Sequence, residues 1–207
     1  MTGKGSLNHN SRKFHAKNTD PNRTHWNVEY CNEDIKDVYH ELFDDALKRY
    51  NDKQTRKDRK IDDYYEKIRS GKQEKLFHEV ILQIGDKDNM GSETMEGQLA
   101  AKILDEYMRG FQERNPTLRV FAAHLHLDEA TPHLHIDFIP YVTGSKRGLD
   151  TRVSLKQALS SLGFKGGSRS ETELNQWVQS EKEKLAMVMR ENEIEWDQKG
   201  THSISFT

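Results

Sequence analysis

Cysteine is almost missing from this chain. Cys31 stands alone among 207 residues, which excludes an internal disulfide and fits a reducing compartment. Long apolar runs are missing too: none approaches the roughly 18 residues that a bilayer crossing needs, and no signal peptide opens the sequence. Apolar residues as a whole are scarce, at 33% against 32% charged. A modest core with long solvated helices is expected, with a partner supplying some of the order. The length suits one domain, residues 1–207, folding without staples.

Net charge is also nearly absent, at −2, but the sum hides a segregation. Residues 1–28 carry five cations against Asp20 alone, and residues 143–170 carry six against Asp150 alone. Residues 171–197 carry eight carboxylates against three cations. Two basic segments on an otherwise acidic chain are the footprint of a local polyanion site.

The apolar pattern orders the elements. Residues 1–23 are polar and aperiodic and read as an arm. "THWNVEYC" (24–31) alternates as a strand, and a helix capped near Asn32 follows, with Ile35, Val38, Tyr39, Leu42, Phe43, Ala46, Leu47 and Tyr50 on one face. A second, charged helix is expected to end at Gly71, and the apolar run 75–85 reads as a strand inside a sheet. Ser92 then caps a helix stopped by Asn115-Pro116, and strands 118–127 and 133–141 follow. A basic loop region (142–170) contains a short helix near 154–161. A long helix opens on the capping box Ser170-x-x-Glu173. The order β-α-α-β-α-β-β-α-α predicts an α/β (α+β) fold: a mainly antiparallel central sheet with helices packed chiefly on one face.

What is present in excess is histidine. "HLHLDEATPHLHIDFIPY" (124–141) holds four of the ten histidines. If its strands pair as a hairpin through "DEATP", one polar face carries His124, His126, His133, His135 and Asp137. His126 then lies across from the His133–His135 pair. Three imidazoles on a rigid surface form half a metal coordination sphere, with positions open for substrate. Nitrogen donors suit Mn, Zn, Co or Ni better than Mg or Ca. Asp137 or His124 is expected to orient an imidazole from behind. His124-x-His126-x-Asp128 also begins a metallo-β-lactamase signature, but Glu129 stands where that motif needs another histidine.

Both ends of the chain together resemble the Mob/Pre-type relaxases, the plasmid-mobilisation branch of the HUH endonucleases. Its third motif is matched by His126, Asp128, Glu129, Thr131, Pro132, His133 and His135. Its first is matched by "HNSR" (His9, Asn10, Arg12), Asn18 and "RTHWN" (Arg23, His25, Asn27), with Val28 in a place where a tyrosine often stands. The resemblance implies an HUH, RRM-like palm. It implies an enzyme that nicks one DNA strand at an origin of transfer and keeps the 5′-phosphate. The metal would be held by His126, His133 and His135, with Mn²⁺ first and Mg²⁺, Co²⁺, Ni²⁺ or Zn²⁺ as alternatives. It also implies His9 as nucleophile, with Glu129 fixing its tautomer. Asn10, Arg12, Arg23 and His25, with the basic-loop residues Arg147, Arg152 and Lys165, are the expected DNA contacts. Phe14, Trp26 and Tyr30 are aromatics open to base stacking, and Tyr30, Tyr64 and Tyr65 are reserve nucleophiles. The implied partners are single-stranded or supercoiled origin DNA and conjugative coupling machinery, in the bacterial cytoplasm. Two other readings stay open: a DNA- or RNA-binding module with a structural metal, and a hydrolase of small phosphoesters.

Overall fold

A computed structural model describes residues 6–196 and 204–206. The chain opens with one helical turn, α1 (Leu7–Asn10), inside the expected arm. Strand β1 (Val28–Asn32) leads into α2 (Ile35–Asp52) and α3 (Tyr64–Ser70). Then come β2 (His78–Gln83), α4 (Met95–Arg109), α5 (Phe111–Arg114) and the hairpin β3 (Leu118–His126) and β4 (His133–Val142). A two-residue β5 (Arg152–Val153), α6 (Leu155–Ser161), α7 (Glu173–Glu191) and β6 (Ile204–Phe206) complete it. The strands form one antiparallel sheet in the order β1-β3-β4-β2-β6, with β5 paired to the end of β4.

The sheet divides the core in two. Val80, Leu82, Ala123, Leu125, Leu134, Ile136 and Phe138 point to one face, where α4 to α7 cover them. Phe121, Ala122 and Ile139 point to the other and meet Val38, Tyr39, Phe43, Ile61 and Tyr64 of the α2–α3 unit. That unit covers only the part of its face remote from the β3–β4 turn. The uncovered part carries the histidines. The two faces stay in phase along β4, but β3 has a bulge between Val120 and Ala122. Val120 therefore joins Leu125 rather than His124, against the simple alternation expected for the strand.

A buried polar knot fastens α7 to the layer below. Glu181 accepts from Tyr107 Oη, Asn115 Nδ2 (3.1 Å) and Arg114 (3.2 Å), while Trp177 Nε1 donates to Asn115 Oδ1 at 2.8 Å. At the N-terminus of α4, Gly97 is required: a Cβ there would lie 1.9 Å from the carbonyl oxygen of Gly91. That contact sets loop 85–94 against the hairpin turn, where Ser92 donates from its amide to Ala130 O and from Oγ to Glu129 O.

Several expected boundaries move, each for a local reason. Residues 24–26 form a 3₁₀ turn and the strand begins at Val28, because Asn27 turns its Oδ1 to the amides of Leu127 (2.7 Å) and Asp128 (3.1 Å). The charged helix after α2 is broken by a loop, since Asn51 pairs with both backbone groups of Ile61 and that residue is drawn into the core. The helix caps are Asp34, Thr94 and Thr172 rather than Asn32, Ser92 and Ser170. Met95, the first residue of α4, is 84% exposed.

His78 gives the fold an acid limit. It stacks on Phe138 with centroids 6.0 Å apart, and burial together with Lys75 lowers its pKa to about 4. Folding therefore favours the neutral ring. Its contribution is complete above the unfolded pKa of about 6.5 and is lost as pH falls from there to about 4, a term of about 3 kcal/mol. Denaturant titrations at pH 7.5 and 4.5 should show the His78→Phe variant losing about 2–3 kcal/mol less than the parent. Equal losses would refute this.

Candidate metal centre and adjoining histidine

The register of the hairpin places His126 opposite His133 and His124 opposite His135. Each of three rings has one nitrogen tied to an acceptor. His126 Nε2 donates to Asn10 O at 2.8 Å, His133 Nδ1 to Thr131 O at 2.9 Å, and His135 Nδ1 to Glu79 Oε1 at 2.6 Å. Because those acceptors fix the protons, the lone pairs stay on His126 Nδ1, His133 Nε2 and His135 Nε2. One nitrogen from each ring lies within 4.8 Å of the others, and His126 Nδ1 and His133 Nε2 are 3.3 Å apart. His135 Nε2 is buried with no partner. Burial and the neighbouring His135 lower His126 to about 2 and His133 to about 4, so both rings are neutral at neutral pH. Three imidazoles aiming lone pairs at one point fit a divalent ion.

Glu79 was not singled out by the motif reading, yet it is the carboxylate that orients a metal-facing ring. Its signal was available as the one carboxylate inside the apolar run "FHEVILQIG". Asp137, expected to orient an imidazole, instead sits opposite Glu79 in the register and accepts from Asn10 Nδ2 at 3.0 Å. Burial and the Glu79 charge raise Asp137 to about 8. His124, the other expected orienting residue, lies 3.8 Å from Glu29 and touches none of the three acceptors. Glu79→Gln should weaken metal binding about 10- to 100-fold while keeping the fold. Competition titration with a metal-sensitive dye checks this, and unchanged affinity would remove Glu79 from the site.

The arm brings the remaining chemistry. Arg12 adopts φ 51°, which ends α1 and sends its guanidinium into the hairpin turn. It grips Asp128 with two nitrogens (Nε to Oδ2 2.9 Å) and Glu129 Oε1 at 2.8 Å. Asp128 is fully buried and also accepts from Thr24 Oγ1, while its carbonyl takes the amide of Asp20. Burial alone would raise its pKa, but Arg12 and Asn27 bring it down to about 2. Arg23 donates to Leu127 O and Glu129 O, and Asn18 Nδ2 to Glu129 Oε2 at 2.6 Å. This stitching delivers His9 to the metal-facing rings, with centroid distances of 5.9 Å to His126 and 6.2 Å to His135. His9 Nε2 lies 3.4 Å from Glu129 Oε1, and Arg12, 3.2 Å from the same nitrogen, donates to His9 O. Burial and then Arg12 lower the pKa of His9 against the pull of Glu129.

The structure thus gathers His9, Glu129, His126, His133 and His135. Of the expected DNA contacts, Asn10, Arg12 and Arg23 turn inward and are engaged within the protein. Asn10 is 2% exposed and bonded to Glu79 and Asp137, and the two arginines are committed to the hairpin turn. His25 stays on the surface beside Trp26. Arg147 is exposed at the far end of β4, and Arg152 there binds Ser145 and Gln157. Lys165 belongs with α6 and α7 on the opposite face. No single groove collects those three. The reserve tyrosines are also remote: Tyr30 bonds Asp105 on the helical face, and Tyr64 and Tyr65 pack against Tyr39 under α2.

A triad of metal-facing imidazoles on paired strands, approached by a histidine from a separate arm, defines a candidate metal site with an adjoining nucleophile or base on an antiparallel sheet. The chain belongs to the Mob/Pre family, described as plasmid recombination enzymes, whose model matches residues 5–187. Its fold is similar to that of the MobM relaxase domain (MOBV; Mob_Pre) bound to 22-nucleotide oriT DNA of plasmid pMV158, in a Mn-bound crystal structure at pH 5.5. The TM-score is 0.53 and the identity 24%, over 95% of this chain and 84% of that one. A second Mn-bound structure of the same complex, at pH 4.6, gives a TM-score of 0.51 and 23% identity over the same shares. No curated protein matches the chain.

Proposed function

We propose that the protein is a metal-dependent DNA relaxase, residues 1–207 acting as one domain that nicks and rejoins a single strand at an origin of transfer. The observation that carries this is the convergence of three proton-fixed imidazoles on one point beside His9 and Glu129. A divalent ion held by His126, His133 and His135, Mn²⁺ being the first choice, supplies charge neutralisation at the scissile phosphate. His9 provides a neutral imidazole whose nitrogen lone pair forms a bond to phosphorus. The bond from phosphorus to the 3′ oxygen breaks, and that oxygen takes a proton from solvent and leaves as the free 3′ hydroxyl. Glu129, within reach of the ring, takes the proton released as the ring becomes a neutral phosphoramidate. The 5′-phosphate stays on the protein, so the reverse reaction can reseal the strand.

His25 and the exposed Phe14 and Trp26 lie on the arm and its exit, where single-stranded bases can stack for about 1–3 kcal/mol each. A reaction on plasmid DNA would run in the bacterial cytoplasm, where conjugative coupling machinery would take over the adduct. Among the described residues no helix is long and apolar enough to cross a membrane.

The test is a supercoiled library of mobilisable-plasmid origins incubated with protein and Mn²⁺. A nicked circle carrying covalent protein is the expected product. Tight binding without cleavage would favour a binding module with a structural metal, and turnover without an adduct would favour a hydrolase.

A further inference from the structure

Two overlapping sets of metal donors meet at His126. One is the triad of imidazoles. The other is His9, His126 and Glu129, again with one ligand atom from each within 4.8 Å of the others. The triad and its three acceptors are complete without the second set. Its spacing is nevertheless that of ligands on one ion. Tetrahedral donors about 2.0–2.1 Å from zinc lie about 3.3–3.4 Å from one another. His126 Nδ1 and His133 Nε2 are 3.3 Å apart, and His9 Nε2 and Glu129 Oε1 are 3.4 Å apart. Glu129 Oε1 links the sets, at 3.8 Å from His133 Nε2.

Of the two added donors, His9 is the freer. Glu129 has both oxygens held, Oε1 by Arg12 at 2.8 Å and Oε2 by Asn18 at 2.6 Å. His9 Nε2 faces only a guanidinium nitrogen of Arg12, at 3.2 Å, besides that carboxylate. A guanidinium donates and never accepts, so Nε2 presents its lone pair and can ligate without releasing a proton. Arg12 keeps Asp128 and Glu129 when the ring turns from it, so the exchange loses one long hydrogen bond.

We propose that His9 is a fourth, closing ligand for a four-coordinate ion, Zn²⁺ foremost, and that this ligation holds the protein in an inactive state that Mn²⁺ does not form. The ligation stands on the donor set alone, whereas the inactivity rests on the relaxase reading above. Zinc sites closed by four protein donors are structural, and catalytic ones keep a position open. With His9 added to the triad no position remains for a phosphate oxygen, and the attacking nitrogen is spent on the ion. Mn²⁺ binds nitrogen most weakly among the divalent first-row ions and favours octahedral surroundings. Three imidazoles then leave positions for substrate, and His9 stays free to attack. The arm thus makes the protein's state depend on which metal fills one site.

The test uses the full chain without DNA, stripped by a chelator and reloaded with Co²⁺, whose d–d absorption reports coordination number. The parent should give the intense visible band of a four-coordinate ion, and His9→Ala the weak band of an ion completed by water. In competition with a chromophoric chelator, His9→Ala should lose about 100-fold in Zn²⁺ affinity, one donor's share of a four-ligand site. Its Mn²⁺ affinity should move by less than about threefold. Glu129→Gln should keep the intense Co²⁺ band. The proposal is overturned by a weak band in the parent, by unchanged Zn²⁺ affinity in His9→Ala, or by equal losses of Zn²⁺ and Mn²⁺. It is also overturned if Glu129→Gln loses the band, which would make the carboxylate the ligand. Nicking by the parent is scored separately: it should proceed in Mn²⁺ and stop when Zn²⁺ is bound. Undiminished nicking with Zn²⁺ bound overturns the inactive state. No nicking in Mn²⁺ overturns the relaxase reading, while the Co²⁺ band still decides the ligand.

Discussion

Replacing His133 and His135 together by alanine should remove stoichiometric metal and all nicking while leaving a cooperative fold. The expected loss is large because donors act on one ion. Apparent binding energies of about 10–16 kcal/mol for structural four-ligand sites correspond to roughly 3 kcal/mol per donor. Losing two of the three nitrogens should therefore lower affinity by a factor on the order of 10⁴. The sheet should tolerate the change, because both apolar clusters lie elsewhere on the hairpin and the truncated rings belong to neither. Glu79 loses the His135 donor but keeps Asn10 Nδ2 at 2.7 Å, which limits the cost of leaving that carboxylate buried. Metal analysis after dialysis and a thermal melt of the same sample decide the matter. One equivalent of retained Mn²⁺ in a folded double variant would sink the site.

How much of this was legible in the sequence differs between its layers. The hairpin was read to within one residue at each strand end because period-two alternation, a Pro-bearing turn and the length of the run all agree. Pairing the same alternation across the turn put three imidazoles on one surface, and the metal centre follows from that. Of the orienting partners, Glu79 leaves one trace, a carboxylate inside an apolar run, whereas Asn10 O and Thr131 O leave none because they act through backbone atoms. The engagement of the motif arginines within the protein was hidden for a related reason. A motif arginine reads as a phosphate ligand until its carboxylates are seen, and Asp128 and Glu129 claim Arg12 from 116 and 117 residues away. The helix boundaries moved where a side chain replaced a backbone partner, as Asn27 and Asn51 do. Such substitutions leave no periodic trace.

His9→Ala should keep the metal and abolish the covalent adduct, the second large effect. The ring is not among the three proton-fixed donors, so the ion site survives its loss. The arm should also stay docked, because Arg12, Asn10 and Asn18 hold it to the hairpin independently of the imidazole. What disappears is the nitrogen proposed to form the bond to phosphorus. The adduct formed by the parent protein on a suicide oligonucleotide should be hydrolysed by acid and spared by alkali, as a phosphoramidate is, whereas a tyrosine phosphodiester would survive both. The reserve tyrosines argue the same way from their positions. Tyr30 donates to Asp105 at 2.8 Å on the opposite face, and burial raises its pKa, as it does for Tyr64. Neither can reach a phosphate held at the histidines without dismantling the core around it. Mass spectrometry of the trapped peptide should place the modification on His9. An adduct on Tyr30, Tyr64 or Tyr65, or wild-type nicking by His9→Ala, would show that the arm positions the strand and leaves the attack to another group.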